Sequence, residues 1–203
     1  MKVWAEKDAE DFLEKQRFTV AARRVVRTEA ELWAAVKAVG SPVVLKVTGA
    51  LHKSDKGGVK TELHTEQEIL TAFRGLKKLS KAVMVHQQVE GLPVLAGLKK
   101  DPTFGHVLVF GAGGVFTEQL KDVSFRVCPV LAKAVREMIA ETKMAQVLLH
   151  PRGVKYSRTA LESALLKLGR LPQRFPKIQE LDINPLFVTE KDAVVADARI
   201  VFG

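Results

Sequence analysis

With 203 residues, 47% apolar and 27% charged, the chain can form one sizeable domain or two small lobes of ordinary soluble composition. Its longest apolar runs fall far below the roughly 18 residues that a membrane helix needs. The acidic Glu6, Asp8, Glu10 and Asp11 exclude a signal peptide, and the single cysteine, Cys128, excludes an internal disulfide and suits a reducing cytoplasm. The net charge of +9 comes with one Tyr, two Trp and ten Phe, a poor match to nucleic-acid binding. It points instead to a phosphate-rich small ligand or an acidic partner.

Ala5 to Gln16 places Ala5, Ala9, Phe12 and Leu13 at helical spacing among charges and predicts an amphipathic helix. Val20 to Arg27 reads as a short strand. Thr28 with Glu31 forms a capping box that opens a helix through Val39, closed by Gly40. Pro42 to Thr48 is a buried strand, Gly49 to Gly58 a loop, and Val59 to Leu63 a further strand. A second capping box, Thr65 with Glu68, opens a helix to about Leu79. Strands follow at Val83 to Val89, Val94 to Lys99 and His106 to Phe110, with a turn over Asp101 to Gly105. Gly111-Ala112-Gly113-Gly114 reads as a tight turn before a strand near Val115 to Leu120. Helices are predicted at Leu131 to Glu141, Ala145 to Leu149 and Ser157 to Leu168. The irregular alternation makes the fold α+β, in two lobes, and not a doubly wound parallel sheet.

The last two strands, Glu180 to Val188 and Val194 to Val201, form a hairpin around the polar turn Thr189 to Asp192. If it is symmetric about Glu190 and Lys191, Asn184 stands opposite Asp197, and Asp182 shares the face of Asn184. Opposed Cβ atoms in an antiparallel pair lie roughly 4.5–5.5 Å apart. Three oxygen-bearing side chains then converge, which is ligand chemistry for a hard cation such as Mg²⁺. Polar residues on a hairpin are usually just solvated. Asn184, however, is the only asparagine in the chain.

Lys46 lies inside the apolar strand Val43 to Val47, where a charge is costly unless it meets an anion. The loop His52-Lys53-Ser54-Asp55-Lys56-Gly57-Gly58 combines positive charge with glycines that allow close backbone approach, as a loop closing over a polyphosphate does. His52 is a candidate phosphoryl-relaying nucleophile. A lone loop histidine is more often solvated.

Together Pro42-Val43-Val44-Leu45-Lys46, His52-Lys53-Ser54-Asp55 with Gly57-Gly58-Val59, Asp101-Pro102 with Phe104-Gly105, Gly113-Gly114-Val115-Phe116, Lys121-Asp122-Val123-Ser124-Phe125-Arg126 and Leu181-Asp182-Ile183-Asn184-Pro185-Leu186 resemble one family. It is the ATP-grasp domain, or β subunit, of ADP-forming acyl-CoA synthetases (acetate–CoA ligase, ADP-forming), cousins of the succinyl-CoA synthetase β subunit. The resemblance implies a single ATP-grasp domain over 1–203 with ATP or ADP between two α+β lobes. Lobe A, the nucleotide lid, covers about 19–83; lobe B, for metal and phosphate, covers about 1–18 plus 84–203.

By the same resemblance Lys46, Lys53, Gly57, Gly58, Gln87, Val89 and Arg126 bind the nucleotide, and Asn184 and Asp197 hold Mg²⁺. His52 relays the phosphoryl group and Asp182 orients a phosphoryl-bearing histidine. The resemblance also implies a separate CoA-binding α subunit in a hetero-oligomer, without nucleic acid or membrane. With it, acyl-CoA, ADP and phosphate interconvert with acid, CoA and ATP; alone, the chain binds nucleotide and completes no acyl-CoA synthesis. The alternative is a degenerate ATP-grasp module with a regulatory or scaffolding role. It is favoured by a short loop between Lys46 and His52, an abbreviated segment before Val83, and Pro93 where relatives carry glutamate.

Overall fold

The computed structural model describes residues 1–48, 57–113, 122–149 and 154–203. Two compact units result, Ala21–Val89 and Met1–Val20 with Glu90–Gly203. The smaller unit contains β3 (Arg23–Val26), α2 (Glu29–Val39), β4 (Val43–Val47), β5 (Val59–Leu63), α3 (Glu66–Lys77) and β6 (Val83–Gln87). Its sheet runs β3-β6-β4-β5 with every neighbour antiparallel. The division therefore falls after Val89, where the sequence placed it before residue 84, because β6 pairs with both β3 and β4.

Local chemistry starts both helices of this unit. Thr65 Oγ1 accepts from Glu68 N–H while the Glu68 carboxylate accepts from Thr65 N–H, so the second capping box closes in both directions. Thr28 Oγ1 accepts from Glu31 N–H in the same way, but the Glu31 carboxylate returns to Arg27 N–H instead. Gly40 ends α2 at a φ of 88°, a conformation natural to glycine. The helices cover Val43, Leu45, Val47, Val83 and Val85 with Leu32, Ile69, Phe73 and Leu76. Each such large apolar side chain contributes about 1.5–3 kcal/mol on burial.

The larger unit contains β1 (Lys2–Val3), α1 (Glu6–Lys15), β2 (Thr19–Val20), β7 (Leu92–Asp101), β8 (Gly105–Ala112) and β9 (Val123–Val127). After these come α4 (Ala132–Ala140), α5 (Met144–Leu149), α6 (Arg158–Arg174), β10 (Ile178–Val188), β11 (Ala193–Val195) and β12 (Ala198–Phe202). Its sheet runs β1-β12-β10-β7-β8-β9, with β11 and β2 attached beside β10. The strand expected from Val20 to Arg27 is thus two short strands, β2 and β3, that belong to different sheets.

Cross-strand register sorts the side chains onto two faces. Leu181, Leu98 and Leu108 lie in one row, Ile183, Ala96 and Phe110 in the next, and all are buried on the inner face. Helix α6 covers this face over β7, β8 and β10, and α4 covers it over β8 and β9. The outer face carries Asp182, Gly97, Val109 and Phe125 in one row, with Glu180, Lys99, Val107 and Val127 in the next.

Where a glycine turn was expected, β8 continues through Gly111 and Ala112. A Cβ at Gly111 would sit 2.3 Å from the Asp122 carbonyl oxygen, so this glycine serves close strand approach and not a reversal. The strand expected near Val115 to Leu120 lies outside the described residues, while β9 was not anticipated. The Asp101 turn is present: Asp101 Oδ1 accepts from the N–H groups of Thr103 and Phe104 at 2.8 and 2.9 Å. Among the described residues no helix is long and apolar enough to cross a membrane.

Candidate functional site

The C-terminal hairpin has the register that symmetry about Glu190 and Lys191 requires. Leu186 pairs with Val195 and Val188 with Ala193 on β11, and Ile183 pairs with Ala198 and Asp182 with Arg199 on β12. Between these pairs Asn184 N–H donates to the Asp197 carbonyl oxygen at 3.2 Å, and Ala196 N–H donates to the Pro185 carbonyl oxygen at 3.2 Å. Asn184 and Asp197 are therefore opposite each other, at the point where β10 bulges relative to β7, between Ile183 and Leu186.

Asp182, Asn184 and Asp197 are all half-buried. Burial pushes the Asp182 carboxyl up to about 6; the nearby Glu180 and Asp197 charges push the same way, and Arg199 pulls against them. Asp182 and Asp197 thus feel each other's charge. Across from Asp182 on β7 stands Gly97, where a Cβ would meet the Leu181 carbonyl oxygen at 2.8 Å and Asp182 Oδ1 at 3.8 Å. The missing side chain lets the two strands close up beside the carboxylate. Crowded acids next to a neutral amide are a donor set whose repulsion a hard divalent cation relieves, so these residues fit Mg²⁺.

In the smaller unit, Lys46 is 7% exposed, in a strand buried along its whole length. It pairs with Met84 on β6, and Val44 two residues earlier pairs with His86, which in turn pairs with Arg23 on β3. Lys46, His86 and Arg23 consequently share the sheet face turned away from α2 and α3, and all three are buried. Gly58 is buried with its carbonyl oxygen accepting from Val47 N–H at 2.9 Å, and Gly57 adopts a φ of 68°. Gln87 N–H donates to the Ala22 carbonyl oxygen at 2.8 Å and its Oε1 accepts from Ala22 N–H at 3.3 Å; Val89 follows, half-buried. His52 and Lys53 lie outside the described residues.

Arg126 is placed apart from the carboxylates. Its neighbour Phe125 is in the outer row with Asp182, so alternation turns Arg126 to the inner, helix-covered face. There Glu141, just past α4, takes Arg126 Nη2 at 2.6 Å and Nη1 at 3.0 Å, and Ser124 Oγ donates to the same carboxylate at 2.6 Å. These bonds hold the Glu141 carboxyl down at about 2. The sequence reading groups Arg126 with the nucleotide contacts; in the structure its guanidinium is held by Glu141. Sequence reasoning passed over Arg199, Glu180, Gly97 and Arg23. The spacing Asp197-Ala198-Arg199 was a usable signal, since it puts Arg199 on the face of Asp197.

The family model described as "ATP-grasp domain" matches residues 1–202. The chain belongs to the ATP-grasp family. Among curated relatives, this ATP-grasp chain is 42% identical over 203 residues to acetate–CoA ligase (ADP-forming) II of Archaeoglobus fulgidus, covering 98% of this chain and 30% of that protein. It is 36% identical over 209 residues to the acetate–CoA ligase (ADP-forming) I subunit beta of Pyrococcus furiosus, covering 97% of this chain and 90% of that subunit. The chain thus spans less than a third of the Archaeoglobus relative and most of the Pyrococcus one. The fold is that of the dinucleotide-forming acetyl-coenzyme A synthetase 1 of Ca. Korarchaeum cryptofilum, solved in complex with coenzyme A, Ca-AMPCP and HgCl+. The TM-score is 0.93 and the identity 33%, over 100% of this chain and 94% of that one.

Proposed function

We propose that this ATP-grasp chain is the nucleotide-binding β subunit of an ADP-forming acyl-CoA synthetase of the acetate–CoA ligase type, working with a separate CoA-binding α subunit. With that partner it interconverts acyl-CoA, ADP and phosphate with acid, CoA and ATP. The observation that carries the reading is the opposition of Asn184 and Asp197 with Asp182 on the same face. Support comes from a subunit beta relative that the chain covers over most of its length.

In this reading Lys46 meets phosphate oxygens, Gly57 and Gly58 give the backbone close approach to them, and Gln87 and Val89 flank the adenine. Asn184 and Asp197 hold Mg²⁺, which when bound supplies charge neutralisation for the phosphates. Asp182 accepts a hydrogen bond from a phosphoryl-bearing histidine and fixes its orientation. His52, with Lys53 beside it, takes the phosphoryl group in relay between partner and nucleotide. Transfer of this kind needs positioning and charge neutralisation more than new covalent chemistry from the protein.

The test incubates the chain with its CoA-binding partner, acetyl-CoA, radiolabelled phosphate and Mg²⁺. Acid-labile label on this chain that disappears in His52→Ala is the expected result. An absence of label together with an absence of Mg²⁺-dependent ADP binding would remove the reading.

A further inference from the structure

Two arginines of the larger unit lie close in sequence to motif residues, and their surroundings differ in kind. Arg126 is held at 2.6 and 3.0 Å by one carboxylate on the helix-covered face. Arg199 is on the outer face as the direct cross-strand partner of Asp182. Its Nη1 lies 3.8 Å from Glu180 Oε1, beyond hydrogen-bonding distance, and both side chains are 44% exposed. Its charge nevertheless reaches Asp182. A long, exposed ion pair is weak and readily exchanged. A guanidinium is shaped for bidentate contact with phosphoryl oxygens.

We propose that Arg199 is a phosphate-contacting residue of this site, leaving Glu180 to take oxygens of the phosphoryl group brought up to Asp182. The inference rests on the nucleotide-binding reading above and adds to it one named cation. Glu180, Asp182 and Asp197 together repel an incoming phosphoryl dianion, and Arg199 is a basic side chain directly across the strand pair from Asp182. Lys99 is the cross-strand partner of Glu180 on β7, a second positive charge on that face when Arg199 moves. The phosphoryl group could be met on ATP or on the partner subunit, and the two sources separate experimentally.

Arg199→Met, Arg199→Lys and Glu180→Gln are compared with the parent chain for MgATP and MgADP binding by calorimetry. They are also compared for transfer of label from γ-labelled ATP to the CoA-binding partner. For contact with the terminal phosphate of ATP, Arg199→Met weakens MgATP about tenfold or more, a loss that a bidentate charged contact supports, while MgADP stays within about twofold. Arg199→Lys retains part of the affinity, and Glu180→Gln tightens MgATP. Unchanged MgATP binding with label transfer reduced about tenfold assigns the contact to the phosphoryl group as the partner carries it, and supports the inference equally. MgATP binding and label transfer both within about twofold of the parent in Arg199→Met overturn it and leave the proposed function standing. A parent chain that binds neither nucleotide overturns both. Thermal midpoints confirm folding, and should Arg199→Met fail to fold, the lysine and glutamine variants carry the same comparison.

Discussion

Asn184 and Asp197 face each other across the C-terminal hairpin, joined by a 3.2 Å bond from the Asn184 N–H to the Asp197 carbonyl oxygen. The joining bond is between backbones, so the pairing of these two positions is set by the main chain.

Asp197→Asn removes a charge while leaving the backbone bond to Asn184 in place. With Asp197 neutral, one source of repulsion on Asp182 is gone, a change that favours the ligand-free chain. Mg²⁺-dependent ADP binding falls by about tenfold or more, as expected when a carboxylate ligand to a hard cation is lost. Calorimetry with and without Mg²⁺, beside a thermal melt, reads both effects.

Gly97→Ala tests how closely β7 and β10 must approach. The added methyl would lie 2.8 Å from the Leu181 carbonyl oxygen, a backbone atom that cannot move alone. The expected cost is about 1–3 kcal/mol of stability, as for other overpacked sites. Metal-dependent nucleotide binding also weakens, because the displaced segment carries Asp182. Chemical denaturation and calorimetry on the one variant measure the two losses.

Arg126→Met separates structure from binding. It breaks the Glu141 and Ser124 contacts that tie β9 to the end of α4, and since the pair is partly exposed the loss is on the order of 1 kcal/mol or less. Nucleotide affinity stays near that of the parent. The pH dependence has a definite sign: Glu141 has its carboxyl lowered to about 2 from 4.5, so its contribution is complete above about pH 4.5 and is lost as pH falls toward 2. Melting curves of the parent and Arg126→Met converge over that acid range.

Cys128 is half-buried, and burial pushes its thiol up to about 11. The thiolate is then scarce near neutrality. Alkylation by iodoacetamide at pH 8 is expected to be slow in the folded chain and to accelerate at least tenfold, on the order of one pKa unit or more, once denaturant restores an ordinary thiol. Mass spectrometry over time follows it.

Much of the fold was legible wherever a short-range rule governs it. The Thr65–Glu68 box, the Asp101 turn and the hairpin register each depend on residues within a few positions or across one tight turn. The glycine at 111 was misread because the same residue type serves a turn and a close approach, and only the neighbouring strand shows which. Strand β9 was missed because its alternation of Val123, Phe125 and Val127 with Ser124 and Arg126 is short and follows a charged pair, Lys121 and Asp122.

The sequence by itself determined the opposition of Asn184 and Asp197, because a symmetric hairpin maps positions onto one another with nothing else required. It also determined that Lys46 lies in a buried strand, since the flanking apolar residues leave no other place for it. What the tertiary structure alone decided is the face of Arg126. It turns inward, away from the face of Asp182, only once the register from β10 through β7 and β8 to β9 is fixed. A side-chain period of two makes a single-residue slip anywhere along that path reverse the answer.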